Sequence, residues 1–154
     1  MKAHKTVTVR VGIMEAQIDV GLAPLIEEIW KADILTLNSS EENHPGIAWI
    51  EFRSSDDASR FLDIVAGEYD DDLRGLYNRI RQEWDDSDGP VEGTWDFAIY
   101  PVDRSVDQWI TDEDMIEEEP IGPPDFDFTV SIRFPREDLE LLLARMRARR
   151  TALL

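Results

Sequence analysis

The chain has 154 residues, 42% of them apolar, with five Trp and no Cys, and 34 acidic against 16 basic residues leave a formal net charge of −18. The missing cysteine excludes disulfides, thiolate metal sites and cysteine nucleophiles, and the excess of acid repels nucleic acid and anionic membrane while favouring basic partners or cations. Length and apolar content fit one folded domain over residues 1–154 rather than a disordered chain, and the plainer reading of the acidity is solubility alone.

The opening stretch MKAHKTVTVRVG carries charge but lacks the apolar core of a signal peptide. No apolar run approaches the roughly 20 residues that cross a bilayer, so a soluble, cytoplasmic protein with no membrane partner is expected. Val7, Val9 and Val11 alternate as one face of a strand, and after Gly12 the run Ile13 to Val20 can return as its hairpin partner. Leu22, Leu25, Ile26, Ile29 and Trp30 then fall at helical spacing, with Pro24 tolerated in the first turn and Asp33 as the stop. Ile34 to Leu37 is a short strand candidate, and Asn38 to Gly46 reads as a polar turn.

The clearest unit follows. Ala48, Ile50 and Phe52 alternate with Trp49, Glu51 and Arg53. Ser54 with Asp57 three residues on resembles a capping box, and Ala58, Phe61, Leu62 and Val65 line one helical face. Residues 68–72 are acidic and suit a linker or helix start. Leu73, Leu76, Tyr77, Ile80 and Trp84 repeat helically, and 85–93 is a loop by its Gly, Pro and Asp content. Trp95, Phe97 and Ile99 mark a strand. Phe126, Phe128, Val130, Ile132 and Phe134 mark a longer one, and Leu139, Leu142, Leu143 and Met146 a last helix ending in arginines.

The ending SIRFPREDLELLLARM echoes WIEFRSSDDASRFLDIV, matching Ile132 and Phe134 to Ile50 and Phe52, and the helical stripe to Ala58, Phe61, Leu62 and Val65 after a one-residue gap. The order predicts an α+β fold: an antiparallel or mixed sheet with helices on one face, and an αββα pseudo-repeat after an N-terminal hairpin. The pseudo-halves divide at about 1–67 and 68–154. Phe52, Phe61, Leu62, Phe128, Val130, Ile132, Leu142 and Leu143 are the expected core.

The halves differ in one connection. Residues 101–125 join the last two strands, too long for a simple hairpin loop, and long connections are usually functional or disordered. From Thr94 to Phe128 there are eleven acidic residues against Arg104 alone, more than half of the chain's excess. The C-terminal stretch from Thr129 is instead net positive.

Most chemistry is excluded by pattern. Setting Gly89 at position six of an EF-hand loop puts Trp84 and Trp95 at its essential ends. His4 and His44 form no zinc motif. Ser39, Ser40 and His44 lack a nucleophile elbow, and no glycine-rich phosphate loop exists. No catalytic residue, metal ligand or cofactor is assigned, although Asp112 to Glu119 leaves a loose Ca²⁺ or Mg²⁺ site as an alternative to a solvated loop.

The stretches APLIEEIW and ILTLNSSEENHPGIAWIEFRSSDDASRFLDIV resemble a set of small uncharacterised bacterial proteins with a similar helix, an SCEEN-like turn and a similar aromatic strand. The resemblance covers about the first half and implies no activity. Such relatives carry Cys where this chain has Ser40, so a thiol role does not transfer.

The expected function is that of an acidic, non-catalytic binding or inhibitor protein, of the immunity type or a nucleic-acid mimic, engaging a basic protein partner such as one that itself binds nucleic acid. Direct nucleic-acid binding is not expected, and the chain is expected to be a monomer or weak dimer. The partner-binding residues are Trp109, Asp112, Glu113, Asp114, Glu117, Glu118 and Glu119: carboxylates stand in for phosphates, and Trp109, with Ile110, Met115 and Ile116, supplies desolvated anchors. The alternatives are a carboxylate- or Mg²⁺-dependent enzyme and a small structural or regulatory module.

Overall fold

The computed structural model describes residues 5–66, 76–80 and 93–152. Thr6–Val11 (β1) and Met14–Asp19 (β2) form the expected antiparallel hairpin, with Val11 opposite Met14. Gly12 takes φ +60° in the two-residue turn, a conformation that L-residues resist. Ala23–Lys31 (α1) follows with Pro24 in its first turn. Its stripe of Leu25, Ile26, Ile29 and Trp30 is buried, and Asp33 ends the segment in the left-handed region.

The remaining elements are Thr36–His44 (β3), Ile47–Phe52 (β4), Ser55–Ala66 (α2), Leu76–Arg79 (α3), Asp96–Asp103 (β5), Val106–Ile110 (β6), Ile116–Pro120 (β7), Phe126–Pro135 (β8) and Leu139–Ala152 (α4), the last entered through a 3-10 turn at Arg136–Asp138. β3, β4, β8 and β5 make one antiparallel sheet in that order. α2 packs on β4 and β8, α4 on α2 and α1, and the β1–β2 hairpin on α1. The fold is α+β, with helices on one sheet face.

Two αββα units are visible in this order: α1-β3-β4-α2, then α3-β5-β8-α4 with β6 and β7 inserted. Their central strands pair with each other. Ile50 lies opposite Ile132, flanked by Phe52 opposite Val130 and Ala48 opposite Phe134. Those six side chains are buried, so the centre of the core is built from the paired central strands of the two units. The same alignment superposes Asp57 on Asp138, two buried acids at helix starts. Asp57 accepts hydrogen bonds from the Leu35 N–H (2.9 Å) and the Ser54 hydroxyl (2.6 Å), while its own N–H donates to Ser54 Oγ (3.1 Å). Ser54 thus caps the helix start as the Ser54/Asp57 spacing predicts, with the return contact to Asp57 made by its hydroxyl. Asp138 accepts from Arg79 Nη1 (2.8 Å), Arg79 Nη2 (2.9 Å) and Trp95 Nε1 (3.0 Å). Each acid ties the second helix of its unit to the chain just ahead of that unit's first strand.

Four expectations change. Asn38 to Gly46 is not a turn: β3 runs to His44, and only Pro45 and Gly46 turn. β3 is an edge strand with register shifts between Thr36 and Asn38 and between Ser40 and His44, so it lacks the regular alternation that identifies a strand. Phe128 is 48% exposed rather than buried. β8 continues past the helix-covered part of the sheet, leaving Phe126 and Phe128 on the face of Ile132 but outside the core. Leu62 and Leu143, each on the flank of its helix's buried stripe, are half-buried. The 101–125 connection is largely strand. The acidic linker at 68–72, the loop over 85–92 and most of the expected 73–84 helix lie outside the described residues, with Leu76–Arg79 helical as expected.

Candidate functional site

Beyond Asp103 on β5 and before Phe126 on β8, the chain forms a second antiparallel pair. β6 and β7 make a two-stranded ribbon that joins no other strand among the described residues, and every residue of β7 is exposed. Val106, Trp109, Ile110 and Ile116 supply β-branched and aromatic residues to the ribbon, a signal masked in sequence by the surrounding carboxylates.

Both ends of this finger are pinned. At its root, Asp103 Oδ1 accepts from the Ser105 N–H (2.9 Å), the Ser105 hydroxyl (2.5 Å) and the Asp125 N–H (3.0 Å). The Arg104 N–H donates to the Asp125 carbonyl (2.8 Å), and the Ile121 N–H to that of Ser105 (2.6 Å). Arg104 Nε also donates to Asp127 Oδ2 (3.0 Å). The Ser105 hydroxyl, followed by the Asp125 and Ser105 N–H groups, holds the Asp103 carboxyl below its ordinary value. The Phe128 N–H and then Arg104 do the same for Asp127. Both carboxylates are stabilised as anions, which suits anchoring and opposes a general-acid role at neutral pH. At the tip, the Thr111 N–H donates to the Met115 carbonyl (2.8 Å), Thr111 Oγ1 accepts from the N–H groups of Glu113 (3.3 Å) and Met115 (3.2 Å), and Asp114 sits at φ +60°.

The seven residues singled out from sequence are distributed around this finger. Cross-strand pairing puts Trp109 opposite Glu117 and Asp107 opposite Glu119, so these four share one face. Glu118 lies opposite Gln108 on the other face, beside the Ile110–Ile116 pair. Asp112, Glu113 and Asp114 occupy the turn. Trp109 is 40% exposed and Ile110 and Ile116 about 70%, so the apolar side chains of the finger are not consumed by a core. Among the described residues, no three His, Asp or Glu side chains gather as metal ligands.

A second feature was not singled out from sequence. The sheet face away from the helices carries a groove of about 430 Å³, lined by Asn43, Trp49, Glu51, Asp96, Ala98, Tyr100, Ser131 and Arg133. Its signal was present as the polar phase of each strand, but only the order β4-β8-β5 shows that those phases adjoin.

No family model, curated protein or solved structure matches the chain. Its functional reading rests on its own geometry.

Proposed function

We propose that this is an acidic, non-catalytic binding protein that engages a basic protein surface through the β6–β7 finger. The observation that carries this reading is a pinned, exposed ribbon on which carboxylates alternate with uncovered Trp109, Ile110, Met115 and Ile116. A loop kept only for solubility has no use for four large apolar side chains in water. The acids occupy the tip and both faces rather than one side, so the finger suits insertion into a basic groove better than flat docking. A groove that receives nucleic acid has that character: carboxylates take the place of phosphates, charge steers the encounter, and apolar anchors hold the complex.

The test begins with capture from the native host by the wild-type chain, using as comparator a variant with Asp112, Glu113, Asp114, Glu117, Glu118 and Glu119 changed to Asn or Gln. A captured protein absent from the comparator is then measured by surface plasmon resonance. Neutralisation is expected to slow association by roughly tenfold or more at low salt. Trp109→Ala is expected mainly to speed dissociation, because a desolvated anchor acts on the bound state. Wild-type rate constants in both variants would remove the finger from the interface.

A further inference from the structure

The groove on the open sheet face has the chemistry of a cation site. Its floor is made of small residues: Ser131 and Ala98 pair across β8 and β5, with Glu51 on β4 opposite Ser131. Around that floor stand Trp49, whose indole N–H is held by the Ser131 hydroxyl, and Asp96, Arg133, Tyr100 and Asn43.

The groove has more acceptor than donor capacity left over. Arg133 donates twice to Asp96, both times to Oδ2. Asp96 has a side chain only 10% exposed, yet it lines the groove, and its Oδ1 has no partner among the described residues. No fully buried side-chain oxygen among the described residues lacks a partner, so Oδ1 is reached by solvent, and there a charged donor serves it best. Glu51 accepts from Asn38 through Oε1 (3.1 Å), and among the described residues neither its Oε2 nor the Tyr100 hydroxyl has a hydrogen-bond partner. Among the described residues, two carboxylates face one guanidinium across the lining. The next cations along this face serve Asp127 instead, Arg104 by a hydrogen bond and Arg53 through its charge.

We propose that this groove seats an arginine side chain of the basic partner, its guanidinium meeting Glu51 Oε2 together with Asp96 Oδ1 and its flat face resting on the Trp49 or Tyr100 ring. A guanidinium offers five N–H donors, carries the required charge and stacks on aromatic rings, whereas a neutral polyol leaves the surplus carboxylate charge unanswered. The proposal rests on the reading of a basic partner, and it adds a specific pocket to the diffuse attraction of the finger.

The experiment uses N-acetyl-arginine amide as probe, followed by the Trp49 indole N–H resonance in ¹H–¹⁵N spectra at low salt. N-acetyl-citrulline amide, neutral and nearly isosteric, is the control, with a neutral disaccharide beside it. Arginine amide is expected to shift the Trp49 resonance saturably and citrulline amide to leave it in place. Glu51→Gln should weaken binding by roughly tenfold, the cost of one charge-assisted hydrogen bond. Ala98→Leu, which fills the floor without removing a charge, should abolish it, with circular dichroism confirming that both variants fold. The finger-neutralised variant should bind the probe as wild type does. An unmoved Trp49, an equal response to citrulline, a shift given by the disaccharide and not by arginine, or wild-type affinity in Glu51→Gln would each overturn the groove assignment. Loss of probe binding in the finger-neutralised variant would move the site to the finger and leave the basic-partner reading intact. Wild-type association rates for that variant with the captured protein would remove the finger while the groove stands.

Discussion

The two αββα units turn their strands differently. In the first, β3 and β4 are joined by Pro45 and Gly46 alone, whereas in the second, β5 and β8 are separated by the β6–β7 finger. The strands at the centre are bound by the core: Ile50, Ile132, Phe52 and Phe134 are fully buried between sheet and helices. The finger has no such cover and is held by cross-strand pairing and by hydrogen bonds at its root and tip. Changes in the core should therefore be read in stability, and changes in the finger in binding.

The largest expected effect breaks that division if it fails. Ile132→Ala should cost about 2–5 kcal/mol, the usual penalty for a large-to-small change in a packed core. Ile116→Ala, at an exposed site, should stay within about 0.5 kcal/mol. Denaturant melts of the two variants compare the regions directly, and equal costs would show that the finger packs on the domain.

The two equivalent acids sharpen the comparison between units. Asp138→Ala takes the carboxylate from Arg79, which keeps the Gly93 carbonyl, and removes the acceptor of the Trp95 indole N–H. It should cost roughly 2–4 kcal/mol, less than a fully buried pair because the Arg79 side chain is 22% exposed. Asp57→Ala keeps the Ser54 Oγ bond to the backbone N–H but removes the acceptor of the Leu35 N–H and the Ser54 hydroxyl, and should cost about 1–2 kcal/mol. The same melts rank them, and a larger loss at Asp57 would contradict the assigned contacts.

Smaller effects belong to the finger and the surface charge. The carboxyls of Asp103 and Asp127 are lowered in the folded chain, so their contribution is fully present above the ordinary aspartate value of 3.8 and is lost as pH falls through the lowered folded-state values. The N–H groups of Ser105 and Asp125 should gain hydrogen-exchange rate relative to the core below that value, and a finger root that loosens at neutral pH would contradict the assignment. The melting temperature should rise from low to moderate salt, because screening relieves repulsion among the acids. Arg150 and Arg147 are occupied by Glu28 on α1, so they do not offset the finger. A flat melting curve would place compensating cations near it.

Much of the fold was legible in the residues. The α1 stripe, the Ser54/Asp57 cap and the match of Ile50 with Ile132 all rest on local periodicity, which burial by a single core enforces. Phe128 was misplaced because alternation reports the face of a strand and not how far the helices extend along it. β3 was read too short, as Ile34 to Leu37 rather than Thr36–His44, because bulges break the period of two. In the finger, the carboxylates were legible as a charged connection, but pairing of Trp109 with Glu117 and of Ile110 with Ile116 depends on the turn at Thr111–Met115. The groove was not legible, since Glu51, Ser131 and Ala98 meet only through strand order.

The central proposal, binding through the finger, is tested most directly by the association rate constant of the captured partner as a function of ionic strength. It should be measured in parallel for the wild-type chain and the variant neutralised at Asp112, Glu113, Asp114, Glu117, Glu118 and Glu119. Steering by these carboxylates predicts a rate that falls steeply with salt for the wild type and a much flatter line for the variant, the two converging at high salt. Parallel lines of equal slope would contradict it and leave the acidity of the finger as a solubility trait.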